Sequence, residues 1–512
     1  MQYCWRYVAF SGRITYRNYK EIKHMMGYQS PSQDSMFMYN IYLEARVRKD
    51  HPLRRIREIV DFDFIYKEVQ DTYGKNGNVS IPPPVVLKLM FLFFFYNVRS
   101  ERELMETLPE RLDWLWFLGY TLESVIPDHS VLSKARRRWG KDTFRCFFER
   151  IVVQCVEKGL VDGAKIFMDS SLIDANASNN SVVDAHSLKK YLNKGYRELE
   201  KRLEEKDNPR GGVNARHISV TDPEASIVRH GRGKAKLQYK THRAVDALHE
   251  VITTVEVTPG AVDEAHKMAS LVDGHAANTL TRPDTVIADS KYGTIENLLE
   301  CHDKGINPHM PAVQTKNKST GSRKDIFPEE QFIYDKNTDS LICPAGNILK
   351  RRSFHALRNN IKYAARGKDC KKCDLRPQCT RDSNSRSVQR HIRKEELDAM
   401  ISITRSHKSQ RDIKTRQHLM ERSYARGTRY DFDRARWRGL WKVAIQEYII
   451  CAIQNIEVLV HYLTKPFSGI AVKPLKEARH QSAREKSQRY ILDMLLFSLC
   501  RIRRMGDTPI SG

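Results

Sequence analysis

The sequence predicts an α/β protein with an all-helical region in front of it and a basic, cysteine-bearing insertion inside it. Three observations predict this. Over about residues 50–160 apolar residues recur at three- and four-residue spacing, the helical period. From Lys165 strand-like and helix-like runs alternate, as they do when helices pack on a sheet. From about Lys316 to about residue 400 the chain turns polar and basic and carries four of the ten cysteines.

Residues 1–45 lack periodicity. They read as a poorly defined extension, or as upstream sequence taken in by an early start codon, and hold no signal-peptide core. A helical domain is expected over 46–160. In "HPLRRIREIVDFDFI" Leu53, Ile56, Ile59, Val60 and Ile65 share one helical face. "VVLKLMFLFFFYNV" follows Pro82–Pro84, a stiff lead into a helix. It is shorter than the ~20 residues of a spanning helix and is interrupted by Lys88, so it reads as buried. In "IPDHSVLSKARRRWG" Ser130 is expected to cap a basic helix carrying Lys134, Arg136, Arg137 and Arg138.

The α/β domain is expected over 161–465. "KIFMDSSLIDA" reads as a strand. An amphipathic helix with Leu188, Leu192, Tyr196, Leu199 and Leu203 on one face follows. "KLQYKTHRAV" and "EVITTVEVTPG" read as strands joined by a short turn, "DEAHKMASLVDGH" as a helix, and "TVIADSKYG" as a strand and loop. The insertion is placed at about 316–400, and "GLWKVAIQEYIICAIQNIEVLVHYL" is a helix apolar enough to be buried. Residues 466–512 form a basic tail with a short apolar helix near "ILDMLLFSL".

Lys plus Arg number 87 against 62 Asp plus Glu, a net +25, which points to a polyanionic partner. Residues 350–440 hold 26 Lys plus Arg and 10 Asp plus Glu, so most of the surplus is local. Phe354, Tyr363, Tyr424, Tyr430 and Trp437 are interleaved with it, a composition suited to salt-sensitive phosphate-backbone contact. A charge run is usually a solvated face, but an excess this concentrated in the region that also carries Glu421 tips the reading toward phosphate contact.

Two Asp residues are expected on or at the ends of strands, Asp169 after "KIFM" and Asp289 after "TVIA". Ligands gather outside strand ends in α/β sheets, and two carboxylates there repel unless a hard cation such as Mg²⁺ lies between them. For any single Asp a solvated turn or cap is the commoner fate, by roughly severalfold. Asp174, Asp246, Asp263 and Asp284 are rivals, and Ser170 and Ser171 read as local hydrogen-bonding neighbours. Glu421, in the Arg-rich helical run "RQHLMERSYARGTRY", is a third carboxylate with Arg416, Arg422, Arg426 and Arg429 near it to pair with phosphates. Read alone, it fits an i,i+4 ion-pair face better. Glu447 is its rival.

The order of several segments resembles a DDE transposase of a bacterial insertion sequence: "HPLRRIREIVDFDFI", "RSERELMETLPERLDWLWFLGY", "IPDHSVLSKARRRWG", "MDSSLIDANAS", "VTDPEAS", "YKTHRAVD", "VTPGAVDEAHKMASLV", "ADSKYG" and "ERSYARGTRYDFDRARWRGLWKVAIQEYIICAIQNI", over about 45–463. The resemblance implies a helical, DNA-binding N-terminal domain before an RNase H-like catalytic domain with a basic cysteine-bearing insertion before the Glu. It implies a catalytic triad of Asp169, Asp289 and Glu421 holding two Mg²⁺ ions, with Mn²⁺ as a substitute. Element ends and target DNA would be the substrates, and the protein a homodimer on DNA, cytoplasmic and nucleoid-associated. Related proteins carry a Lys seven residues after the Glu; here that position is Thr428, with Arg426 and Arg429 beside it. The other readings are a metal-dependent nuclease that cuts without joining, and a non-catalytic DNA-binding derivative.

Cys343 in "CPAGN" and Cys370, Cys373 and Cys379 in "CKKCDLRPQC" have the ligand count of a closed tetrahedral Zn²⁺ site, with a wide gap between the halves. The alternative is a set of reduced thiols in a reducing compartment.

Overall fold

A computed structural model describes residues 27, 42–74, 79–185, 212–313 and 326–464. The expected helices around Leu188–Leu203 and "ILDMLLFSL", and residues 1–26, lie outside the described residues. The described chain forms a helical N-terminal region and a mixed α/β C-terminal region, two compact units that meet in sequence at Phe147 and Phe148.

In the first unit α1 (Pro52–Ile59) starts on Pro52, with the His51 ring accepting from the Leu53 amide. It buries Leu53 and Ile56, and α2 (Ile65–Val69) follows. α3 (Pro83–Phe95) is apolar all round and is buried on almost every face, the expected fate of such a run in a globular core. Lys88 within it lies 5.7 Å from the faces of both Phe62 and Phe117, and burial pulls its ammonium pKa down to about 8. Phe62 also meets Phe91 and Phe117 edge-on, at 6.0 and 5.7 Å. α4 (Glu101–Thr107) is capped by Ser100, whose hydroxyl accepts from the Glu103 amide, and α5 (Leu112–Leu118) ends on left-handed Gly119. The helical run α6 (Ser130–Glu157) breaks at Gly140, where φ is +71°. Its first amide, that of Ser130, donates to Asp128 Oδ1, so Asp128 and not Ser130 supplies the cap.

The second unit is built on a six-stranded sheet. β1 (Lys165–Asp174) pairs antiparallel with β5 (Lys236–Asp246), and β5 pairs antiparallel with β6 (Ile252–Pro259) and β4 (Ser226–Val228). On its other edge β1 pairs parallel with β7 (Thr285–Ile287), which pairs parallel with β8 (Asn307–His309). The order across the sheet is therefore β6-β5-β1-β7-β8. β2 (Val182–Asp184) and β3 (His217–Ser219) form a separate ribbon.

Side chains alternate between the two faces. Ile166, Met168 and Ala244 join a core with α7 (Met268–Thr279) and α8 (Ile295–Lys304). Ile173 and Tyr239 pack instead with Val443 of α11 (Leu440–Thr464). α11 is long and apolar enough to cross a membrane by length and composition, yet most of it is buried in this core. Its polar residues face the sheet: the Asn455 side chain accepts from the Ile252 amide at 2.8 Å and donates to the Ile252 carbonyl at 2.8 Å. α9 (Lys394–Thr404) and α10 (His407–Thr428) complete the unit.

Between β8 and α9 the chain builds a second sheet of β9 (Ile333–Asp335), β10 (Ser340–Ile342), β11 (Ile348–His355), β12 (Asn360–Ala364) and β13 (Ser387–His391), in that spatial order. It has its own core of Phe332, Leu341, Leu349, Tyr363 and Val388.

Candidate active site

The register of β1 against β7 sets Phe167 beside Ile287. Two residues further along each segment stands an Asp. Alternation puts Asp169 on the face of Phe167, and Asp289 follows Ile287 as the chain turns away, its Oδ1 accepting from the Lys291 amide at 2.9 Å. Both carboxylates are half-buried. They lie where β7 ends and β1 runs on, a crevice of the kind that holds ligands in α/β sheets. Asp169 is in mid-strand, since β1 continues to Asp174, while Asp289 lies just past the end of β7.

α10 crosses this crevice and is fastened there. Its Asp412 accepts from Lys165 Nζ at 2.9 Å and meets His309 Nδ1 at 2.7 Å, bracing it against β1 and β8. One turn on, Arg416 Nη1 donates to Asp169 Oδ2 at 2.6 Å, and two turns beyond that the Tyr424 hydroxyl donates to the Asp169 carbonyl at 3.0 Å. Burial pushes the Asp169 carboxyl above its ordinary range, opposed by the Arg416 charge and the Ser170 amide and reinforced by repulsion from Asp289. Two acids that repel each other, with a guanidinium drawn onto one, make a site short of positive charge.

A further carboxylate lies beside them, one that sequence reasoning misses. Glu264 follows β6, is only 4% exposed, and sits 2.8 Å from Lys291 Nζ and 3.2 Å from Lys240 Nζ. Ser170 also hydrogen-bonds it. Burial alone would raise the Glu264 carboxyl, but the Lys291 hydrogen bond and the Lys240 charge hold it below its usual range. Its partners come from β1, β5 and the turn after β7, so no local spacing announces the cluster.

Glu421 lies on α10 between Arg416 and Tyr424 and is exposed, accepting from Gln417 Nε2 at 3.3 Å. Among the described residues the acidic, imidazole or thiol group whose ligand atoms all lie within 4.8 Å of one another is His302, Asp303 and Glu396, and Arg393 pairs with both of its carboxylates. Asp169, Asp289 and Glu421 are not drawn that close. Glu447, the rival to Glu421, is fully buried and pairs with Arg243 at 2.9 Å, which removes it from the crevice. The rival aspartates serve the backbone or neighbouring side chains. Asp174 holds Lys236 and Gln238, Asp246 accepts from the Gly163 and Leu248 amides, and Asp263 caps the turn at Ala265. Asp284 is exposed, and its carbonyl accepts from the Asn307 amide.

The arginines expected to face phosphates have carboxylate partners instead. Arg422 and Arg426 both pair with Glu250, Arg429 pairs with Glu457 at 3.3 Å, and Arg416 holds Asp169. In the helical unit Arg136 is buried and forms an internal ion pair with Glu101 at 2.5 Å. Arg138 lies over the Tyr73 ring at 4.6 Å, while Lys134 and Arg137 are exposed.

In the second sheet Cys343, Cys370, Cys373 and Cys379 line one cavity, together with Asn347, Leu349 and Arg386. Cys343 begins a tight turn closed by left-handed Gly346, and its sulfur accepts from the Asn347 amide at 3.3 Å. The four sulfurs are spaced around the cavity more widely than bound ligands would be.

Residues 41–138 match a family model described as a transposase domain (DUF772), and residues 342–460 match one described as a transposase DDE domain. The second match contains Glu421 and the cysteines but neither Asp169 nor Asp289. No curated protein matches the chain.

Proposed function

We propose that this chain, an insertion-sequence type DDE transposase by its two domain matches, cuts DNA at the ends of its element and joins the freed 3′-hydroxyl to target DNA. The observation that carries this is that Asp169 on β1 and Asp289, just past the end of the neighbouring parallel strand β7, lie close enough to repel each other. The strand order β6-β5-β1-β7-β8, three antiparallel strands followed by two parallel ones, supports an RNase H-like reading of the sheet. The oxygen-only donor set and its excess negative charge fit a hard divalent cation. Asp169, Asp289 and Glu421 would hold two Mg²⁺ ions, with Mn²⁺ as a substitute, and when bound these activate the attacking hydroxyl and stabilise the leaving oxygen. Arg416 neutralises Asp169 in the absence of other positive charge and is released toward a phosphate when that charge arrives. Tyr424 fixes the β1 backbone at Asp169, and Lys240 and Lys291 hold Glu264 beside the crevice. Water attacks first and the 3′-hydroxyl second, both by in-line displacement with no covalent enzyme intermediate. The protein acts as a homodimer on DNA.

The test is a strand-transfer assay with a pre-cut element end in Mg²⁺. Joined product is the expected result. Hydrolysis with no joined product, from protein that binds the end, leaves a nuclease and ends the transposase reading.

The four-cysteine cavity is proposed to close on one structural Zn²⁺. A second sheet this small gains stability from a metal that its own core cannot supply. Elemental analysis of the purified protein should find about one zinc per chain, the stoichiometry of a Cys₄ site. Cys373→Ser should release it and lower the melting temperature. Metal-free protein with an unchanged melting curve would end this assignment.

A further inference from the structure

On α10 Arg416, Arg422 and Arg426 are held by Asp169 and Glu250, while Lys408, Arg411 and Lys414 are exposed, and the chain carries a further basic surface away from this helix. It lies in the second sheet. From Lys350 to Lys368 the chain carries seven Lys and Arg residues and no Asp or Glu. Within that stretch residues 351–359 are all exposed.

The geometry of this segment is unusual for a solvated loop. β10 pairs only with Ile348, Leu349 and Lys350, so the outer edge of β11 beyond them has no partner strand among the described residues. The pairing of β11 with β12 shifts register between Arg351 and Ser353, which sets Arg352 out on a bulge. The strands are then joined by Ala356–Arg358, with Asn359 in the left-handed region at φ +47°. At this tip two large apolar side chains face solvent, Phe354 at 48% and Leu357 at 103% exposure. Arg351 pairs loosely with half-exposed Asp339 at 3.1 Å. Arg352 and Arg358 have no carboxylate partner among the described residues.

We infer that the β11–β12 tip is a DNA-contact element: Arg352 and Arg358 grip phosphates on either side of a groove, and Leu357 with Phe354 enters it as an apolar wedge. A bare edge strand invites aggregation unless it is charged, and this edge is charged with one sign only. An apolar side chain between flanking arginines is the arrangement with which proteins enter the minor groove, unstack a base step and bend the duplex. The inference rests on DNA being the partner, as proposed above, and adds where and how the duplex is held.

Duplex DNA binding by the full chain, followed by fluorescence anisotropy over a salt series, tests the charges. Arg352→Glu with Arg358→Glu should weaken binding about 10–100-fold and reduce the salt slope by about two, one for each lost phosphate contact. Leu357→Ala with Phe354→Ala should leave the slope unchanged but lose the bend, read as end-to-end energy transfer on a labelled duplex. These side chains are exposed, so circular dichroism and melting should not change. If the wild type binds and bends DNA and both variants match it, the tip is not a contact and the inference fails alone. If the wild type binds no duplex, the DNA reading itself fails. If the charge variant loses only binding to anionic lipid vesicles, the partner is a membrane surface and the inference is overturned.

Discussion

Asp169→Asn and Asp289→Asn should each lower DNA cleavage by about 10²–10³-fold, the loss seen when one preorganised charged or polar group is removed from a reaction centre. The protein should remain folded. Its stability supplies the sign that separates this from a structural defect. Burial first, then the charge of Asp289, hold the Asp169 carboxyl above its ordinary range. A carboxyl raised on folding contributes stability that is fully present below the unfolded value, about 3.9 for Asp, and is lost as pH rises through the folded value. At neutral pH the ionised group is therefore a burden, which Asn removes. Asp169→Asn should be at least as stable as wild type in urea at pH 7, and the difference should vanish as pH falls below the ordinary Asp range. Wild-type cleavage by either variant would remove these aspartates from the mechanism. A large loss of stability in Asp169→Asn would show that the residue is structural.

The largest effect on stability should come from Glu447→Ala. Both Glu447 and Arg243 are fully buried, 2.9 Å apart, and the Thr241 hydroxyl also donates to Glu447 at 2.9 Å. The Arg243 guanidinium lies over the rings of Tyr424 at 4.7 Å and Phe432 at 5.2 Å. Removing one partner leaves the other charge buried without its counter-ion, which costs about 3–5 kcal/mol. Replacing both with apolar side chains, Arg243→Met with Glu447→Leu, should recover much of that loss. Equilibrium urea unfolding measures both. A cost below about 1 kcal/mol for Glu447→Ala, the range of an exposed pair, would mean that water reaches the site. Activity should fall with the single variant, since Tyr424 also holds the Asp169 carbonyl.

Features set by neighbours along the chain are legible in the amino-acid sequence. The alternation in "KLQYKTHRAVD" and "ITTVEVTP" gives β5 and β6, and the apolar run after three prolines gives α3. Asp169 is legible as a carboxylate on a strand because "KIFM" precedes it directly. Features set by neighbours in space are not. Arg422 looks free in an Arg-rich helix, but its partner Glu250 is 172 residues away on the turn between β5 and β6. Glu264 resembles any acid after a strand until Lys240 and Lys291 close on it. Glu447 sits in an apolar helix, where sequence cannot tell a ligand from half of a buried pair. Helical spacing likewise brings Glu421 to α10 without fixing which way its carboxylate turns.

The Arg416–Asp169 pair joins residues 247 positions apart. Each part of the crevice therefore arrives at a different time during synthesis. β1 emerges first, Asp289 well after it, and the counter-charge on α10 only once the whole second sheet has been made. Contacts this distant in sequence close late, because the loop between them must be ordered first. Until α10 docks, the two aspartates face each other with no arginine to separate them, and β1 lacks the Tyr424 clamp. A ribosome-bound chain that ends before residue 407 should thus hold most of the strands but no assembled centre. Activity should be switched on only once α10 has been made and docked, and a truncation between the second sheet and α10 should yield a protein that keeps the β11–β12 tip to meet DNA but does not cut it.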